Sequence, residues 1–320
     1  MIKTVGVIGA GTMGFGIAFQ FAINGTSTIL ADISKEAIET VKEKFAVYLQ
    51  MFREAGYDFS LSDDEVMSSI LFTTKLSDLA NADLIIESVS ENLAIKQQIF
   101  AELDSICAEN TILTSNTSSL KLSDISIHVK KHKSRILLTH FFNPAHIVPL
   151  VEILQTEHTA HEVFEDVKTF LEANKKVTIE VKKEVAGLVA NRIQVAMARE
   201  ALSLIEDGVI SESDLDIAIF DGPGFRFSSS GLLKIMDFGG LDVWKVVLEE
   251  LQPKIEAGNR SYEMINERVN RREVGVKTGK GFYEYPGKGM DEHVVKRDQQ
   301  LIKHLLNTHP ELKSRKGVHL

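Results

Sequence analysis

The stretch KTVGVIGAGTMGFGIAFQFAINGTSTILAD, residues 3–32, decides the fold. Val5, Val7 and Ile8 make a short apolar strand, and Gly9, Gly11 and Gly14 follow it as G-x-G-x-x-G, with Thr12 and Met13 inside the same loop. A helical run from Ile17 to Ile23 comes next. A second strand, STILAD, then ends on Asp32, 18 residues after Gly14. Each part has a physical task in holding a dinucleotide. Gly9 permits the tight turn, Gly11 lets the backbone approach a pyrophosphate, and Gly14 lets helix and strand pack closely, while the helix N-terminus offers free N–H groups to phosphate. Asp32 stands where a carboxylate accepts hydrogen bonds from ribose hydroxyls and repels a 2′-phosphate, which favours NAD over NADP. A lone glycine motif is weak, but this one follows a strand, opens a helix and has an acid at the end of the second strand. FAD shares the motif; the chain is short for a flavoenzyme, so NAD is the expected cofactor.

Outward from that stretch, residues 34–69 read as long amphipathic helices, including KEAIETVKEKFAVYLQMF, more than a minimal β-α-β crossover needs. The alternation then resumes with strand DLIIESV (83–89), a helix over 92–107, strand TILTS (111–115), a helix near 123–128 and strand RILLTH (135–140). Strands alternating with helices predict an α/β fold with a parallel, doubly wound sheet, whose ligands lie at the C-terminal ends of the strands. Glu91, Ser118 and His140 fall there. VPLVEIL and KKVTIEV (175–181) read as two further strands joined by a helix over 160–174. After residue 184 the pattern is helical. The expected division is therefore a nucleotide-binding domain over 1–184 and a helical domain over 185–320, with Ser211 and Asp214 marking one helix start. The tail carries one more helix, VVKRDQQLIKHLLNT, and a basic end that reads as solvated.

Composition sets the outer limits. The 320 residues are 44% hydrophobic and 25% charged, ordinary for a globular protein. A formal charge of −9 argues against nucleic acid or an anionic membrane as the main partner, since both need a positive face. The one cysteine, Cys107, excludes an internal disulfide framework, suits a reducing cytoplasm and reads as a core thiol on a helix. The N-terminus reads as a strand rather than a signal peptide, and no run of about 18 apolar residues marks a membrane span.

With a nicotinamide at the sheet, the natural chemistry is hydride transfer from an alcohol carbon, which requires a base for the hydroxyl proton. An imidazole suits neutral pH, and an acid on its far nitrogen fixes the tautomer. His140 ends a strand, and Glu152, twelve residues on, returns beside it after a proline-broken turn. Asn191, in a helix at the domain junction, is placed to donate to a substrate oxygen. His146, six residues from His140, competes with it, and periodicity does not separate the two.

The family separates them. GVIGAGTMGFGIA, ADLIIESVSENL, SNTSSL, HFFNP, PLVE, GLVANR and KTGKGFYEY together resemble the 3-hydroxyacyl-CoA dehydrogenases over nearly the whole chain to about residue 285. The resemblance implies a Rossmann-type domain followed by a helical domain that forms a homodimer, and a role in fatty acid metabolism. It implies that His140 is the catalytic base, Glu152 its partner, and Ser118 and Asn191 the groups that bind the substrate oxygen. Glu91, Lys96 and Asn116 match cofactor contacts. The implied reaction is NAD-dependent oxidation of a short-chain L-3-hydroxyacyl-CoA, such as 3-hydroxybutyryl-CoA. The chain departs from those enzymes at Ala186 and Leu188, where proline and phenylalanine are usual, and at His146 and Pro149. NPxHxxPLVE, KKEVAGLVANR and GPGFR are also similar to dehydrogenases of small free hydroxy acids such as carnitine and gulonate, in which His146 and Arg226 would face a carboxylate. Coenzyme A phosphates would need basic residues, and the insert offers Lys42, Lys44 and Arg53. A non-enzymatic, crystallin-like relative is a third possibility, against which the joint presence of His140, Glu152, Ser118 and Asn191 argues. No metal site is expected.

Overall fold

The computed structural model describes residues 1–287 and 290–313; the basic end beyond residue 313, read above as a solvated tail, lies outside the described residues. The chain begins β1 (Thr4–Ile8), α1 (Thr12–Ile23), β2 (Ser27–Ala31), α2 (Lys35–Glu54), α3 (Asp63–Ser68), β3 (Ile70–Thr73) and β4 (Leu84–Glu87). It continues α4 (Leu93–Ile106), β5 (Ile112–Ser115), α5 (Leu122–Ile125), β6 (Ile136–Phe141), β7 (Leu150–Gln155), α6 (His161–Ala173) and β8 (Val177–Val181). Among the described residues these strands make one eight-stranded sheet in the order β3-β2-β1-β4-β5-β6-β7-β8. Every neighbouring pair is parallel except β6 and β7.

Local chemistry explains the elements. β1, β4 and β5 are buried almost along their whole lengths, as strands covered on both faces by helices must be. α1 is buried from Gly14 to Ile23, and that burial requires glycine: a Cβ on Gly14 would stand 1.7 Å from the carbonyl oxygen of Gly9. α2 starts on Ser34, whose hydroxyl accepts from Ala37 N–H, and it buries Ile38, Val41, Phe45, Tyr48, Leu49, Met51 and Phe52 at helical spacing. α3 opens with a reciprocal capping box between Ser62 and Glu65. The insert over 34–69 thus holds two helices and no strand of its own. Immediately after it, ILFT forms β3 on the sheet edge, paired to β2, a strand that the sequence pattern did not announce.

The remaining helices are α7 (Ala190–Glu206), α8 (Glu212–Ile219), α9 (Phe225–Phe227), α10 (Leu232–Gly239), α11 (Leu241–Leu251), α12 (Glu263–Asn270) and α13 (Met290–Thr308). The chain divides into two compact units, Met1–Asn191 with Leu301–Leu320, and Arg192–Gln300. The division expected at residue 184 assigned everything after it to one helical domain; instead the last stretch groups with the sheet. Ile302, Leu305, Leu306 and Leu312 are buried, Asp58 N–H donates to the Leu312 carbonyl at 2.7 Å, and Tyr57 bridges Lys313. No described helix is long and apolar enough to cross a membrane.

Candidate active site

The C-terminal ends of β1, β2, β4, β5 and β6 lie on one edge of the sheet because those strands are parallel. At the end of β1, Gly9 adopts φ +101°, where a side chain would be strained, and its Cβ would meet the Ser88 carbonyl at 2.6 Å. Gly11 is different: a Cβ there would meet nothing within 4 Å. The helix beyond it has no side-chain cap at Gly11, which leaves the N–H groups of its first turn, at Thr12 and Met13, without a side-chain acceptor from the cap residue. A glycine needed for room rather than for packing, at an uncapped helix start, fits a dinucleotide pyrophosphate. Asp32, one residue past β2, accepts from Ala10 N–H at 2.7 Å and from Ser34 N–H at 2.8 Å, which fixes its carboxylate at the loop's edge.

At the ends of β4 and β5 a second group of polar residues converges. Glu87, fully buried, accepts from Val89 N–H, the Lys96 ammonium and the Ser115 hydroxyl, each at 2.7 Å. Lys96, also buried, reaches Glu91 at 3.5 Å. Removing one member of such a buried pair costs about 3–5 kcal/mol, so it is a fixed post. Glu91 accepts from Ser118 N–H at 2.9 Å, from the Thr117 hydroxyl and from the Ser118 hydroxyl. Partial burial pushes its carboxyl up, but the Ser118 N–H, the Lys96 charge and the Thr117 hydroxyl outweigh that and hold it below the usual carboxylate range. Asn116 accepts from Phe141 N–H at 2.8 Å and donates to Ser88, tying β6 to β4. Glu87 and Thr117 were not among the expected site residues. The signal for Glu87 was a lone acid inside the apolar run LIIESV.

His140, the fifth residue of β6, stands directly opposite Glu152 of β7 in the antiparallel pairing. Its Nδ1 is 2.7 Å from Glu152 Oε2, and both residues are buried. The other oxygen of Glu152 accepts from Val189 and Ala190 N–H at 2.9 and 3.0 Å, at the start of α7. Gly187 and Leu188, at φ +78° and +50°, turn the chain so that those N–H groups point at the carboxylate. Leu188 accepts the strain of that conformation, of order 1–3 kcal/mol, while buried in the core. Burial pushes the Glu152 carboxyl up, but the His140 hydrogen bond and the two backbone donors hold it below the usual range. Asn191 follows in the same first turn, half-buried.

One expected site residue of the first unit, His146, stands away from this pair in an aromatic cluster. His146 does not face an open site: it is 4% exposed, its ring lies 4.6 Å from that of Tyr48 and 5.3 Å from that of Phe15, and it fills the space beside Gly16. The reason is aromatic packing, since Phe15, Phe19, Tyr48 and Phe52 form a cluster that the turn after β6 enters. Arg226 lies exposed on α9, in the second unit. Of the basic residues in the insert, Arg53 is held by Asp63 at 2.6 Å and the Leu61 carbonyl, over the Phe59 ring, and Lys42 pairs with Glu39. Burial pushes the Cys107 thiol up to about 11, as a core thiol requires.

The family model "3-hydroxyacyl-CoA dehydrogenase, NAD binding domain" matches residues 4–185, and "3-hydroxyacyl-CoA dehydrogenase, C-terminal domain" matches 187–285. The chain is 29% identical over 303 residues to a 5-formyl-3-hydroxy-2-methylpyridine 4-carboxylate 5-dehydrogenase of Mesorhizobium japonicum, covering 94% of this chain and 97% of that one. It is 34% identical to human mitochondrial hydroxyacyl-coenzyme A dehydrogenase, over 89% of this chain and 92% of the other. A crystal structure of a dehydrogenase of the same pyridine carboxylic acid, described as an NAD+-dependent dismutase, superimposes with TM-score 0.89 over 97% of this chain and 99% of that one, at 28% identity.

Proposed function

The chain belongs to the 3-hydroxyacyl-CoA dehydrogenase family and is an NAD-dependent oxidoreductase acting on CH–OH; from that premise we propose that His140 is the base that takes the hydroxyl proton, held for the task by Glu152. The observation that carries this reading is the 2.7 Å contact of His140 Nδ1 with Glu152 at the ligand-binding edge of the sheet. An ionised Glu152 accepts the Nδ1–H, leaves Nε2 to receive the proton, and stabilises the imidazolium that results. Two backbone N–H groups keep Glu152 ionised and in place. Ser118 and Asn191 hold the reacting oxygen, Glu91, Lys96 and Asn116 border the nicotinamide side, and Asp32 selects NAD over NADP by its charge. When bound, NAD supplies the acceptor for the hydride. The second unit exposes Phe238 at 85%, Phe220 at 77% and Leu233 at 74%, which supports the homodimer implied by the resemblance.

Two substrate classes suit this chemistry. The reading supported best is a small carboxylate-bearing molecule whose reacting carbon carries a hydroxyl, either an alcohol or a hydrated aldehyde. It rests on the likeness to the pyridine carboxylate dehydrogenase, which extends over 97% of the chain, and on the engagement of Arg53 and Lys42 within the insert. The second reading is a short-chain L-3-hydroxyacyl-CoA, favoured by the 34% identity to the human enzyme. NADH formation, followed by absorbance, compares 3-hydroxybutyryl-CoA with carnitine, gulonate, free 3-hydroxybutyrate and a formyl pyridine carboxylate. Preference for a free acid is the expected outcome; strong preference for the thioester overturns it in favour of the second reading.

A further inference from the structure

Lys176 is an anomaly in the first unit. It immediately precedes β8, is 4% exposed, and donates from Nζ to the carbonyl oxygens of Ala145 at 2.5 Å and Val148 at 3.0 Å. The Phe141 ring centroid lies 6.0 Å away. No carboxylate pairs with it among the described residues, and burial pulls its pKa down to about 7. A buried cation without a counter-charge is expensive, and an apolar side chain of similar length would fill the same space at less cost. The chain even adopts a left-handed residue, Lys175 at φ +64°, in the turn that leads into it.

Its two acceptors explain what the charge does. Ala145 and Val148 belong to the turn between β6 and β7, the only covalent link in the chain between the strand of His140 and the strand of Glu152. Within that turn Ile147 and Val148 N–H both donate to the Pro144 carbonyl, and Val177 N–H donates to the Pro149 carbonyl. Lys176 therefore closes a loop of hydrogen bonds from β8 onto the turn. On the turn's other flank His146 packs beside Gly16 of the glycine-rich helix.

We infer that Lys176 is a positioning residue for the dehydrogenase reaction: its ammonium ties down the β6–β7 turn and so fixes the His140–Glu152 pair relative to the dinucleotide loop. This rests on the reading of His140 as the base. Lys176 is buried with its ammonium on two backbone carbonyls of the turn, so its effect passes through the turn.

The test replaces Lys176 with methionine, which keeps the length and removes the charge, and with glutamine, which keeps a donor. Lys176→Met should lower kcat by about 10- to 100-fold, as a misplacement of order 1 Å does, with KM and Kd for NAD within about threefold. In mildly acidic buffer its thermal midpoint should equal or exceed the wild type's, because a costly buried charge has gone; Lys176→Gln should fall between in kcat. A merely structural lysine would give the reverse, a lower midpoint with kcat retained, and that result overturns the inference. Failure of both variants to fold overturns it equally. His140→Gln is measured in parallel. If that variant keeps its turnover, the reading of the base falls; if it loses turnover while Lys176→Met does not, only the tether falls.

Discussion

The two units of this chain bury their apolar residues to very different degrees. Met1–Asn191 packs Phe19, Phe21, Phe45, Phe52, Phe100 and Phe141 almost wholly out of water, whereas in Arg192–Gln300 Ile235 is the one buried large apolar residue among those described. The second unit instead exposes Phe220, Phe225, Leu233, Phe238 and Val246. Exposed large apolar side chains of this kind are what the proposed dimer would cover. The first unit thus builds its own core and, on the reading above, its own chemistry. The second leaves most of its large apolar side chains exposed, and on the same reading a partner copy covers them. Helical periodicity was equally clear in both, so an apolar stripe tells which face is covered without telling what covers it.

The sharpest way to break this contrast is His140→Ala. It should lower turnover by about 10² to 10⁴ with NAD affinity and assembly state unchanged; steady-state kinetics and sedimentation together check it, and a dissociated variant would mean that the two units are not separable in function. Next comes Phe238→Asp in the second unit. A charge on that face should shift the protein toward monomer in sedimentation, with the first unit's sheet signature intact; a monomeric wild type would remove the proposed dimer. Asp32→Ser should raise the use of NADP relative to NAD by roughly tenfold, and an unchanged ratio would refute the selecting role. The smallest effect concerns acid. Glu91 and Glu152 are held below their ordinary pKa, so their contribution to stability is complete above the unfolded value of about 4.3 and is lost as pH falls through the folded one. Glu152→Gln should therefore flatten the acid limb of the unfolding curve, and a limb as steep as the wild type's would show that the pair adds nothing there.

Much of the first unit was legible in its sequence. The glycine loop, the acid ending β2 and the strand alternation rest on local spacing, and local spacing is what a sequence displays. What escaped depended on distant partners. β3 is only four residues long and half exposed on the sheet edge, so its burial pattern is set by pairing with β2. His146 reads in the sequence as a rival to His140 and as a group for a substrate carboxylate, because its aromatic neighbours come from two helices more than ninety positions earlier. The Glu87–Lys96 post and the Lys176 tether involve charged residues in ordinary local contexts, and nothing local says that they are buried. The C-terminal stretch likewise gave a helix but not the surface it returns to. The candidate site residues His140, Glu152, Ser118 and Asn191 are legible only through the family resemblance; periodicity alone does not separate His140 from His146.

The placement of His140 and Glu152 opposite each other on neighbouring antiparallel strands makes the pair all-or-none. Side chains alternate between the faces of a strand, so a slip of one residue sends one partner to the far side of the sheet, and no half-aligned state lies between. Lengthening the turn that joins the strands leaves the pair intact while the register holds, but deleting a single residue from either strand severs it. Heat cannot part His140 from Glu152 without breaking that register. On the reading of His140 as the base, residual turnover in a heated sample therefore sets a lower bound on the share of molecules whose β6–β7 register is intact.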